Sequence, residues 1–214
     1  MKTSLKTLTA ITLTAIVLAT TGFNSSAALK IITLEKSTAN AEVKKVIVTG
    51  NTKVLLIQSS REYVSMEDDM IEKVNIKQEG NTLFINSTET EPVTVTVYVK
   101  SPFRIKLSDQ AEVRTVGKFN LKYLQVMVAD DARAKIKVIA EDLYTVVNDN
   151  AILELLGTAG NHTSSYAGAG KLKMDKFAAL KTNQEIPDMD LAAAINRKTA
   201  VQKLQNNSLM KDKN

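Results

Sequence analysis

The chain contains no cysteine and no tryptophan, and only one histidine and three prolines in 214 residues. Without cysteine there is no disulfide, no thiol nucleophile, no thiolate-bound zinc and no lipid-carrying cysteine after a leader. Imidazole chemistry has a single candidate, His162. Aromatic residues make up 5% of the chain and are not interleaved with its basic residues, which argues against a nucleic-acid platform. Long apolar runs are scarce too. The one at Leu8–Ala19 is about a dozen residues, short of the ~20 that a membrane span needs. With Lys2 and Lys6 before it and Ser25-Ser26-Ala27 after it, residues 1–27 read as a secretory signal peptide. No later stretch is apolar enough to span a bilayer. Removing the leader leaves 26 basic against 23 acidic residues, a balance of +3 that selects no class of partner. The remainder, from a chain 44% hydrophobic and 24% charged, suffices for one domain with a sizeable core.

What is present is a repeat. Ser108-Asp109-Gln110-Ala111, Ala129-Asp130-Asp131-Ala132, Asn148-Asp149-Asn150-Ala151 and Ala167-Gly168-Ala169-Gly170 recur at steps of 21, 19 and 19. An alternating run follows each turn. A fixed period near twenty, made of short alternating runs and small turn residues, predicts stacked β-coils whose equivalent side chains form ladders. The expected inward columns are Val113, Ala134, Leu153, Leu172, then Thr115, Ile136, Leu155, Met174. Two more are Leu124, Leu143, His162 and Val128, Val147, Tyr166. The outward columns are Glu112, Arg133, Ile152, Lys171 and Arg114, Lys135, Glu154, Lys173. The two extra residues of the first coil fall at Gly117-Lys118, where an insertion of two keeps the in/out parity of the next strand. A leucine-rich repeat fits Leu121-x-x-Leu124-x-Val126 but lacks the recurring Asn and helical return. The expected fold is all-β, a single-domain β-solenoid with coils of about 19–21 residues.

Between leader and repeat, residues 28–42 form a lead-in. Val43–Thr49 and Lys53–Ser59, split by Gly50-Asn51, and Val74–Glu79 and Thr82–Asn86, split by Gly80-Asn81, read as two hairpins, since Gly and Asn tolerate positive φ. Glu62–Lys73 is charged and reads as a short helix or a loop. Val93, Val95, Val97 and Val99 alternate with polar residues in a half-buried strand bounded by Pro92 and Pro102. Val46-Ile47-Val48-Thr49-Gly50-Asn51, Val54-Leu55-Leu56-Ile57-Gln58, Gly80-Asn81-Thr82-Leu83-Phe84-Ile85, Val95-Thr96-Val97-Tyr98-Val99 and the Ser108-Asp109-Gln110-Ala111 turn, in that order, resemble the head GIN domain of the bacterial putative auto-transporter adhesins. The resemblance covers residues 43–181 and implies an exported bacterial β-solenoid; it supplies no catalytic or metal residue. Residues 182–214 form a C-terminal tail outside it, which reads either as a helix over 190–205 behind Asp188 or Asp190 or as an exposed, frayed tail.

Three features carry candidate chemistry. Arg114, Arg133, Lys135, Lys137, Lys171 and Lys173 are expected to point outward from neighbouring strands, a basic ladder that could hold an anionic glycan or a cell-envelope protein; the competing reading is a solvated face. Asp109, Asp130 and Asp149 share one turn position. Stacked carboxylates repel, which a calcium ion would relieve, but Asp also suits turns through its own backbone bonds. His162 falls in a leucine column and reads as a core residue in place of a general base. The sequence therefore predicts an exported, non-enzymatic binding module without cofactor, periplasmic or at the cell surface. The alternative is a carbohydrate-active enzyme on the same scaffold.

Overall fold

In the computed structural model, residues 29–32 and 41–185 are described; the expected leader at 1–27 and the expected helix over 190–205 lie outside them. The strands are β1 (Leu29–Ile32), β2 (Lys45–Gly50), β3 (Thr52–Gln58), β4 (Tyr63–Glu67), β5 (Asn75–Glu79), β6 (Thr82–Ser87) and β7 (Val93–Val99). They continue with β8 (Arg104–Leu107), β9 (Glu112–Val116), β10 (Phe119–Val128), β11 (Arg133–Val147), β12 (Ile152–Tyr166) and β13 (Lys171–Glu185). All belong to one curled sheet. No helix among the described residues is long and apolar enough to cross a membrane.

The sheet has two walls. In the first, β5 pairs antiparallel with β6, and β6, β2, β8 and β10 then run parallel into the C-terminal halves of β11, β12 and β13. In the second, β1, β4 and β7 are antiparallel neighbours, and β7, β3 and β9 run parallel into the N-terminal halves of the same long strands. From β6 on the chain alternates between walls, so Arg133 lies beside both Glu112 and Ile152, and Ile152 beside Lys171. Inward residues of both walls, such as Leu56, Ile105, Val113, Leu124, Ile136 and Leu153, fill the space between. Each such aliphatic side chain contributes about 1.5–3 kcal/mol when fully buried.

The expected columns hold through most of the stack. Val113, Ala134, Leu153 and Leu172 are neighbours, as are Leu124, Leu143 and His162. They fail at the last coil. Between Lys173 and Lys176, β13 carries Met174 and Asp175 where β12 has only Leu155, and this bulge leaves Met174 36% exposed. Tyr166, expected inward, is 40% exposed. The two extra residues of the first coil lie between Arg114 and Phe119, since Arg114 pairs with Lys135 and Phe119 with Val138.

One hairpin forms and one does not. β5 and β6 pair back across Gly80-Asn81, Glu79 opposite Thr82. β2 and β3 do not pair with each other: β2 lies between β6 and β8, and β3 between β7 and β9. Gly50, at φ +66, is thus a corner between walls, and its left-handed backbone serves a passage to the other wall as readily as a reversal. Glu62–Lys73 resolves into β4 and a 3₁₀ turn over Asp68–Lys73.

Candidate functional site

The corners from the first wall to the second are built by the aspartates. Asp109, Asp130 and Asp149 all have positive φ, at 58, 58 and 57°, and Gly168 follows at 75°. The next small residue closes each turn, with Ala111 N–H donating to Ser108 O, Ala132 N–H to Ala129 O and Ala151 N–H to Asn148 O. Each carboxylate reaches to the coil before it. Asp109 Oδ2 accepts the Gly50 N–H at 2.9 Å, Asp130 Oδ2 the Asp109 N–H at 2.9 Å, and Asp149 Oδ2 the Asp130 N–H at 3.3 Å. The column is therefore a backbone staple, and its charge is met by N–H donors. Its carboxylates stand in single file, one per coil, and do not face each other across a cleft as paired catalytic acids would. No group of three or more His, Asp or Glu among the described residues could hold a metal ion.

His162 is in the core. Its Nε2 lies 3.0 Å from Thr145 Oγ1, its ring meets Phe177 edge-on at 5.3 Å, and its Nδ1 is buried without a partner. Burial depresses its pKa. Thr145, Phe177 and the leucine column surround it, so it has access to no substrate.

All six basic candidates lie on the outer surface of the second wall, on β9, β11 and β13. Arg114, Lys135, Glu154 and Lys173 form one column, and Glu112, Arg133, Ile152 and Lys171 the next. Lys137 begins a third, beside Leu156 and then Lys176. Lys135 is paired with Glu154 at 2.7 Å, and this bond holds the Glu154 carboxyl below its usual pKa against partial desolvation, with Lys173 and Lys176 adding to the pull. Arg114 and Lys137 make no ion pair among the described residues.

These two cations share a groove that the sequence did not announce. Where β9 carries its two extra residues, the parallel ladder to β11 breaks, and Thr115 Oγ1 takes the Lys137 N–H at 2.7 Å in place of a backbone carbonyl. Val116, facing outward by strand alternation in register with Ile57, and Gly117, at φ +80, border a recess of about 470 Å3. Its cationic lining is Arg114, Lys135 and Lys137, and its apolar lining Leu55, Val116 and Leu156. Ile57, Tyr98 and Tyr63 prolong the apolar side by register with Val116, and the two tyrosine rings stack at 4.0 Å. The only sequence signal for the groove was the step of 21 against 19.

A family model described as "Putative auto-transporter adhesin, head GIN domain" matches residues 42–186. No curated protein matches the chain. Three solved structures are similar in fold. A putative lipid binding protein from Parabacteroides distasonis is 13% identical with a TM-score of 0.55, covering 76% of this chain and 79% of that one. A putative adhesin from the same organism is 15% identical at TM-score 0.54, covering 74% and 77%. A putative adhesin from Parabacteroides merdae is 15% identical at TM-score 0.53, covering 76% and 78%.

Proposed function

The chain belongs to the family of the auto-transporter adhesin head GIN domain, and from that premise we propose that it is an exported, non-enzymatic β-solenoid that binds an anionic component of the bacterial cell envelope. The binding surface is the outer face of the second wall, centred on the recess at Val116-Gly117. The observation that carries this reading is the pairing there of Arg114 and Lys137, two cations free of ion pairs among the described residues, with the apolar side chains of Leu55, Val116 and Leu156. Lys135, Arg133, Lys171 and Lys173 extend the positive field along the coils, and summed attraction of this kind retains an anion without a deep pocket. The ligand classes are an anionic glycan or an acidic envelope protein. The fold neighbours described as adhesins and as a lipid-binding protein agree with a binding role.

The test is salt elution of the full chain from immobilised heparin, used as a polyanion, beside an Arg114→Glu/Lys137→Glu variant. The variant is expected to elute at clearly lower salt with unchanged circular dichroism, because exposed-charge attraction is screened within about 10 Å at 0.1 M salt. Elution of both proteins at the same salt refutes the assignment.

A further inference from the structure

The outer face of the first wall carries a second, chemically different surface. There β10, β11 and β12 set two columns side by side: Tyr123, Asp142, Asn161 in one and Gln125, Tyr144, Thr163 in the other. A hollow of about 150 Å3 opens between them over Leu124 and Leu143. Internal bonds fix most of its polar groups. Asn161 Nδ2 donates to Asp142 Oδ1 at 2.7 Å, Arg104 Nε donates to Gln125 Oε1 at 2.8 Å, and the Tyr144 hydroxyl donates to Glu185 Oε2 at 3.3 Å.

The bonding capacity left over has a definite character. Among the described residues, Asp142 Oδ2 and Asn161 Oδ1 are free to accept, the Gln125 amide to donate, and the Thr163 hydroxyl to do both. Tyr123 stands beside them 53% exposed, with the Lys122 ammonium 5.2 Å from its ring centre. Acceptors and donors on adjacent planar groups, fixed to strands, match neighbouring hydroxyls that each donate and accept. The exposed ring supplies an apolar surface for the C–H side of the same molecule. A carboxylate at the middle of the hollow, with Glu185 close by, opposes an anion, so this surface differs in kind from the cationic recess on the other wall.

We propose that this hollow binds an uncharged sugar unit of an oligosaccharide, with Asp142 and Asn161 taking its hydroxyls and Tyr123 stacking on its ring. The site stands independently of the anion-binding face, and the two can fail separately. Saturation-transfer NMR of the full chain with maltohexaose, cellohexaose, xylohexaose and chitohexaose tests it. Transfer to at least one of the four is expected. Tyr123→Ala and Asp142→Ala should each weaken that binding at least fivefold, and Arg114→Glu/Lys137→Glu should leave it unchanged. Asp142→Asn, which keeps the packing and loses one strong acceptor, should fall between. Absence of transfer to all four sugars, or equal transfer with Tyr123→Ala and Asp142→Ala, overturns the proposal.

Discussion

Asp130 does two separable jobs, and three substitutions at this residue pull them apart. Its backbone is left-handed at φ +58, and its Oδ2 holds the Asp109 N–H at 2.9 Å. Asparagine keeps both the tolerated φ and an acceptor, so Asp130→Asn should cost within about 0.5 kcal/mol. Glycine keeps the φ and drops the acceptor. An exposed bond of this kind is worth about 0.5 kcal/mol, and the added freedom of the unfolded chain costs about as much again, so Asp130→Gly should lose about 1 kcal/mol. Alanine drops the acceptor and must also enter the left-handed region, at about 1–2 kcal/mol, which brings Asp130→Ala to about 2 kcal/mol. With a urea slope of about 2 kcal/mol/M, the midpoints should fall by about 0.5 M for glycine and about 1 M for alanine. The order is the decisive quantity. If alanine proves as stable as glycine, the stack does not impose a left-handed corner, and the account of the aspartate column is wrong.

Two further outcomes follow from the core. At Gly157, φ is +106 and an added Cβ would lie 2.0 Å from the Val138 carbonyl oxygen, so Gly157→Ala should abolish soluble expression or lower the urea midpoint by more than any Asp130 variant. His162, whose pKa burial depresses, is neutral in both states above about pH 6.5; below it the unfolded chain takes up a proton that the folded chain refuses. Stability should therefore fall as pH drops through 6.5 towards the lower folded value, by at most about 1.4 kcal/mol per pH unit. His162→Leu, matching Leu124 and Leu143 of its column, should remove that part of the slope between pH 7.5 and 5.5; equal slopes would contradict it.

The period was legible because one corner is chemically demanding. A left-handed residue there is Asp or Gly, and that requirement marks every turn from Asp109 to Gly168, while the cap on the preceding coil is made by the three aspartates alone. The same reasoning, carried upstream, would have reached Thr49-Gly50-Asn51-Thr52. Gly50 bonds to Asp109 as Asp109 does to Asp130, and Thr52 is buried where Ala111 is, its hydroxyl donating to Thr49 O at 2.9 Å. A Gly-Asn pair between apolar runs suits a hairpin equally well, and only the pairing partners of the strands decide. The recess was hidden for another reason. It arises from a difference in residue count between two coils, and nothing in the composition of Thr115–Lys118 says whether such an excess bulges outward or is absorbed. Met174 was misplaced because the ladder rule presumes an unbroken register, and β13 carries one residue too many opposite Leu155; Tyr166 ends β12 at the rim, paired with Val147 on one side only among the described residues.

The antiparallel strands β5 and β4 finish one end of the molecule, since neither continues the parallel register of the coils. At the other end of the described residues, β13 keeps the parallel register of β12. A further period added in this register would lengthen the sheet by about 4.8 Å. Both outer surfaces would then be carried along in fixed phase, like marks on a ruler cut to different sizes.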